Sequence, residues 1–184
     1  RLRWEGRVLA RTPSGPSHDI DALGPWNVRV EHDALVFTSD SVRQQVPLAH
    51  GDRVVFTRPS RVVVATRRDA TLRRVDLVDG EWRLHADALT LGRPAVVMEA
   101  LRDGRVVVAL TAFMADGAHL GNHFVQDQLR FVDVEGWQVQ GALYTARRSE
   151  RQGSAGNVDR GLSPMGIAER EDGTLVVTFA GSSE

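Results

Sequence analysis

The chain has 184 residues, room for one ordinary domain, and a domain of that length buries roughly 70% of its unfolded surface without covalent staples. Its 23 basic residues are all arginine, and 24 acidic residues balance them to a net charge of -1. That argues against a protein that coats nucleic acid or an anionic membrane, since both need surplus positive charge. Cysteine is absent, which removes disulfides, thiolate metal sites, a cysteine nucleophile and covalent haem attachment, and no apolar run reaches the ~18 residues of a membrane span.

Short runs of Val, Leu and Phe bounded by turn residues read as buried strands. No window keeps a helical apolar period for more than about ten positions, so an all-β chain is expected. LRWEGRVLA at 2–10 has a hairpin pattern turning at Glu5-Gly6. In SHDIDALG, His18, Asp19 and Asp21 are metal-ligand types, but a loop leading to a strand is the plainer reading. Pro25 then opens a strand that turns at Asp33-Ala34 into LVFTS. SVRQQVPLAHG, 41–51, has length for one strand and a turn, which predicts a sheet that is three-stranded or completed from elsewhere. DRVVFT at 52–57 and RVVVAT at 61–66 turn through Arg58-Pro59-Ser60.

LRRVDLVDGEWRLHADAL at 72–89 turns at Asp79-Gly80, with Trp82 just after it. Pro94 leads to Asp103-Gly104 and RVVVAL, and LRFVDVEGWQVQGAL at 129–143 overlays on 72–89, matching Glu135-Gly136 to Asp79-Gly80 and Trp137 to Trp82. Pro164, Asp172-Gly173 and TLVVTF close the series. Asp-Gly suits a tight hairpin because Gly accepts positive φ and the Asp side chain can bond the turn's own backbone.

Two hairpin types thus alternate, and one of each makes a four-stranded antiparallel unit. At ~45 residues per unit the chain holds about four, the arithmetic of a four-bladed β-propeller in a single domain, 1–184. The N-terminal hairpin is the half that the last unit lacks, so pairing the two would close the ring and remove exposed sheet edges. The alternative is a fragment of a larger propeller.

The run 61–97 resembles the repeat of YVTN-type bacterial β-propellers. Val75-Asp76 and Val132-Asp133 match its Val/Ile-Asp element, Gly92-Arg93-Pro94 its Gly-x-Pro junction, and Asp103-Gly104 and Asp172-Gly173 its Asp-Gly turn. Leu23-Gly24-Pro25 and Leu162-Ser163-Pro164 are weaker versions of the junction. The Tyr-Val-Thr-Asn string itself is missing, and the blades number about half those usual in the family. The resemblance implies a propeller and, because such propellers are often exported, a periplasmic or extracellular location. The family includes scaffolds, redox-associated propellers and lactonase relatives, so it carries no catalytic residue to this chain.

Two places are candidates for chemistry. The insertion 111–128 spends eighteen residues where the other copies use three to five, and it holds His119, Asn122 and His123. On a helical turn His119 and His123 would aim both imidazoles at one divalent metal, although Gly121 between them breaks a helix and favours solvated rings. The other is the ring's centre, lined by polar residues expected on the first strand of each blade: Asn27, Arg29, Glu31, Arg53, Glu99 and Glu169. Such a set could bind Ca²⁺ or Mg²⁺, or Arg29 and Arg53 could simply neutralise Glu99 and Glu169. Trp26, beside Pro25, is the tryptophan placed to meet a ligand; Trp4, Trp82 and Trp137 read as packing anchors. The polar, glycine-rich linker 146–162 is a candidate binding loop.

These features favour a non-enzymatic binding module that presents its loops to a protein or small ligand. The competing expectation is an enzyme, either a metal-dependent lactonase-like hydrolase at the channel or the propeller component of a redox system.

Overall fold

The computed structural model describes residues 20–110, 128–144 and 163–180, and every regular element in them is a β-strand. The chain divides into two compact units, Arg1–Thr90 and Leu91–Glu184. Residues 2–10, 111–127 and 146–162, which carry the N-terminal hairpin, the insertion and the linker, lie outside the described residues.

In the first unit β1 (Ile20–Leu23), β2 (Trp26–Glu31), β3 (Ala34–Thr38) and β4 (Arg43–Pro47) form one antiparallel sheet in chain order. A second sheet is built the same way from β5 (Gly51–Arg58), β6 (Arg61–Thr66), β7 (Thr71–Val78) and β8 (Glu81–Thr90). The first sheet corrects two expectations. IDAL is a strand, not a loop, and the sheet it begins has four strands without help from elsewhere. Four residues are too few to show alternation, and Pro25 sits in the turn instead of opening a strand. Gly24, at φ +63, supplies the positive dihedral that the first central position of a two-residue hairpin turn can require.

The two sheets pack face to face, with β1 against β5 and β4 against β8. Val28, Val30, Leu35, Phe37 and Val46 of the first meet Val54, Phe56, Val62, Val64, Val75 and Trp82 of the second. Trp82 centres this layer, stacked on Phe37 with centroids 4.2 Å apart and met edge-on by Trp26 at 5.5 Å and Phe56 at 6.0 Å. Strand β6 is buried on both faces, which is why RVVVAT reads as an unbroken apolar run. Strand β2 alternates buried Val28 and Val30 with exposed Asn27 and Arg29, as a strand with one wet face should.

The second unit has a four-stranded sheet of β9 (Ala95–Ala100), β10 (Arg105–Leu110), β11 (Gln128–Asp133) and β12 (Gln138–Tyr144). It also has the pair β13 (Ser163–Glu169) and β14 (Leu175–Ala180), with β13 against β9. Leu101, Val107, Ala109, Leu129 and Ile167 form its core.

Its two Asp-Gly turns are built alike. Gly104 and Gly173 stand at φ +88 and +81, and each donates to a carbonyl three residues back at 3.0 Å. The Asp103 and Asp172 carboxylates accept from the backbone N–H two residues on, at 3.0 and 2.9 Å. This is a three-residue hairpin loop with Gly in the left-handed position. The Asp79-Gly80 turn differs, being a two-residue loop with both residues at positive φ, +53 and +80.

Glu135-Gly136 does not match Asp79-Gly80. β11 ends at Asp133 and β12 starts at Gln138, so the loop has four residues, and the residue at positive φ is Trp137, at +49. The Asp133 carboxylate explains the wider loop, because Oδ1 accepts from Glu135 N and Gly136 N at 3.0 and 3.1 Å and folds the chain around itself.

Candidate functional site

The densest group of ionisable side chains lies on β6, β7 and β8. Arg61 and Asp76 are directly opposite across the β6–β7 ladder, so their side chains emerge on one face a short distance apart. The guanidinium grips the carboxylate with both arms, Nε to Oδ1 at 2.6 Å and Nη2 to Oδ2 at 3.1 Å. On β8 three residues, His85 to Asp87, face the single residue Arg74, and this bulge swings the imidazole onto the same carboxylate. His85 Nε2 lies 2.9 Å from Asp76 Oδ2, and Nδ1 faces Arg74 Nη2 at 3.3 Å. A proton on Nε2 lets the ring donate to the carboxylate. Arg73 Nη2 pins the bulge by donating to His85 O at 3.0 Å.

Burial alone would push the Asp76 carboxyl up. The hydrogen bonds and charges of Arg61, followed by those of His85, outweigh it and hold the group below the usual carboxylate range. A carboxylate beside an imidazole is the start of an acid–base relay. Here both ring nitrogens are occupied within the sheet and the carboxylate is clamped by Arg61, so the group acts as a clasp on three strands.

A second buried carboxylate joins the two sheets of the first unit. Asp21 is 1% exposed; its Oδ1 accepts from Ala22 N at 2.8 Å and its Oδ2 from Phe56 N at 2.6 Å, tying β1 to β5. A carboxyl acceptor suits an otherwise buried N–H, which would be costly to leave unmade.

Of the residues expected on first strands, Arg53, Glu99 and Glu169 stand on β5, β9 and β13, each the first strand of its sheet. Asn27, Arg29 and Glu31 lie on β2, the second strand of its sheet, because IDAL adds a strand before it. Arg29 pairs with Glu31 along the strand, with Arg43 Nη2 3.9 Å from the same carboxylate. Arg53, on β5, has Nη1 3.9 Å from Asp52 Oδ1. Glu99 is buried on β9, and Glu169, at the end of β13, accepts from Arg102 N at 2.8 Å. Trp26 is half-buried against Trp82 in the core. His119, Asn122 and His123 lie outside the described residues. Among the described residues no three His, Cys, Asp or Glu side chains stand close enough to hold one metal ion.

No protein-family model matches the chain, and no curated protein matches it in sequence.

Of the Asp76 clasp only the Val75-Asp76 pair is legible in the sequence. Val75-Asp76 and Val132-Asp133 look like one motif, yet Asp76 binds Arg61 and His85 while Asp133 caps its own turn and accepts from Gln140 Nε2 at 3.1 Å. The difference comes from the preceding hairpins. Arg105, opposite Asp133 as Arg61 is opposite Asp76, is captured by the Asp103 carboxylate at 2.8 Å and lies 5.3 Å over the Phe131 ring. The Arg58-Pro59-Ser60 turn offers Arg61 no such carboxylate, so it reaches across to Asp76.

Proposed function

We propose that this chain is a non-enzymatic β-propeller-type module, akin to the YVTN-like propellers, which presents loops to a protein or small-ligand partner from a rigid set of sheets. Each sheet is a blade in this reading, and residues 2–10 pair with β14 to complete the last one. Two arrangements support it: sheets whose strands follow chain order, and packing of first strand on first strand, β1 on β5 and β9 on β13. The observation that carries the binding reading is that, among the described residues, three carboxylates that could serve acid–base chemistry are committed to structure. Asp76 is clamped by Arg61 and His85, Asp21 holds a main-chain N–H of β5, and Glu169 holds that of Arg102. The partner surface comprises the 111–128 and 146–162 segments, and the compartment implied by the resemblance is periplasmic or extracellular.

Metal analysis of the purified chain tests the function. After dialysis the chain is expected to retain no stoichiometric divalent metal and to gain no thermal stability from added Ca²⁺, Mg²⁺ or Zn²⁺. Retained metal that is lost in Glu99→Ala or His123→Ala would replace this reading with a metal-dependent hydrolase. Removing residues 1–12 tests ring closure. Loss of two pairing strands should lower the melting temperature by roughly 10 °C or more, and an unchanged melting curve rules closure out.

A further inference from the structure

Gln44 lies on β4, the outer strand of the first sheet, and its side chain reaches the outer strand of the second. Its Nε2 donates to Gly80 O at 2.8 Å, and its Oε1 accepts from Trp82 N at 2.9 Å. β8 is the last strand of its sheet, so Gln44 meets the Trp82 N–H on its unpaired side and the carbonyl of Gly80 in the turn just before it. A carbonyl and the N–H two residues later, both bonded by one neighbouring residue, is the pattern of a parallel ladder; an antiparallel partner would address them with two different residues. The Gln44 carboxamide therefore stands where the N–H and C=O of a single residue of a parallel strand would stand.

We propose that Gln44 is an edge lock, which occupies the start of β8's pairing edge and holds off an extended strand of a second copy of this chain. β8 is a ten-residue strand without proline, and past Arg83 its exposed positions are Ala86, Asp87, Ala88 and Thr90, so Asp87 in the bulge is the one charged side chain exposed there to oppose a neighbour. A second copy also brings a matching edge, since β4 itself is unpaired on its outer side among the described residues. The lock acts where pairing would begin. Trp82, whose N–H it holds, is fixed in the core by its stack on Phe37, so the edge cannot twist away from an incoming strand. This inference is independent of the binding-module reading.

The test uses the full chain with Gln44→Ala, read by amide exchange at Trp82 and by light-scattering mass across a concentration series. Exchange at the Trp82 amide should rise roughly tenfold on loss of its acceptor, and mass should climb from monomer toward dimer with concentration. Adding Ala86→Lys to the same chain should restore the wild-type mass, because a lysine on the edge opposes strand addition. Gln44→Glu, which keeps the acceptor but sets a carboxylate against Gly80 O, should associate at the highest concentrations only. Faster Trp82 exchange at unchanged mass would overturn the proposal, as would unchanged exchange or association that survives Ala86→Lys. If Gln44→Ala does not fold, a Gln44→Glu chain as monomeric as the wild type overturns it equally.

Discussion

Replacing Trp82 by alanine is expected to cost about 4 kcal/mol and to lower the melting temperature by roughly 10 °C. The side chain is 5% exposed and touches aromatic rings from both sheets of the first unit, so its removal opens a cavity between layers that strand pairing keeps from collapsing. Trp82→Phe should cost only about 1–2 kcal/mol, because the stack on Phe37 survives. The indole Nε1 has no hydrogen-bond partner among the described residues to lose. Trp137→Ala should cost less than about 1 kcal/mol, since Trp137 is half-buried on a loop and its replacement retains only the strain of a positive φ. Denaturant midpoints of the three variants check this order. Equal losses at Trp82 and Trp137 would show that the aromatic stack is not what holds the two sheets together.

Asp76→Asn should cost about 2 kcal/mol at neutral pH and progressively less in acid. The substitution keeps the shape but turns one acceptor into a donor facing Arg61 or His85, in a site where the carboxylate is 13% exposed. The pH dependence has a definite sign. Because the folded state holds the Asp76 pKa below its ordinary value of 3.8, it favours the ionised form, and that stabilisation is complete above the ordinary value. It is lost as pH falls through the lowered folded value. Wild type and variant should therefore differ most near neutrality and converge as pH falls through the lowered folded value. Urea midpoints at several pH values measure the gap, and a gap that stays constant into acid would show that the Asp76 charge contributes nothing.

The strand content was readable because its central strands are buried on both faces. RVVVAT and RVVVAL leave no other reading once bounded by turns, and Asp103-Gly104 and Asp172-Gly173 announce their own geometry. What escaped was whatever depends on register or on a few residues. IDAL is too short for a periodic signal and was hidden behind a proline that closes a turn. Missing it shifted Asn27, Arg29 and Glu31 by one strand and so misplaced half of the expected axial group. Arg61 and Asp76 are fifteen residues apart, and Gln44 and Trp82 thirty-eight, separations at which only the folded pairing shows which side chains meet. Trp82 and Trp137 looked equivalent because the turns before them differ by only two residues, a difference decided by where the Asp133 carboxylate finds its donors.

The chain-order pairing within each sheet has a consequence for biosynthesis. Every strand from β1 to β4, and again from β5 to β8, pairs only with its neighbour in sequence among the described residues, so no ladder waits for a distant segment. Such local connectivity favours rapid formation. As the ribosome adds roughly 5–20 residues per second, the first sheet's strands are all available once Pro47 has emerged, and both layers around Trp82 once Thr90 has. The nascent chain can thus bury its first aromatic cluster before the second unit has left the exit tunnel.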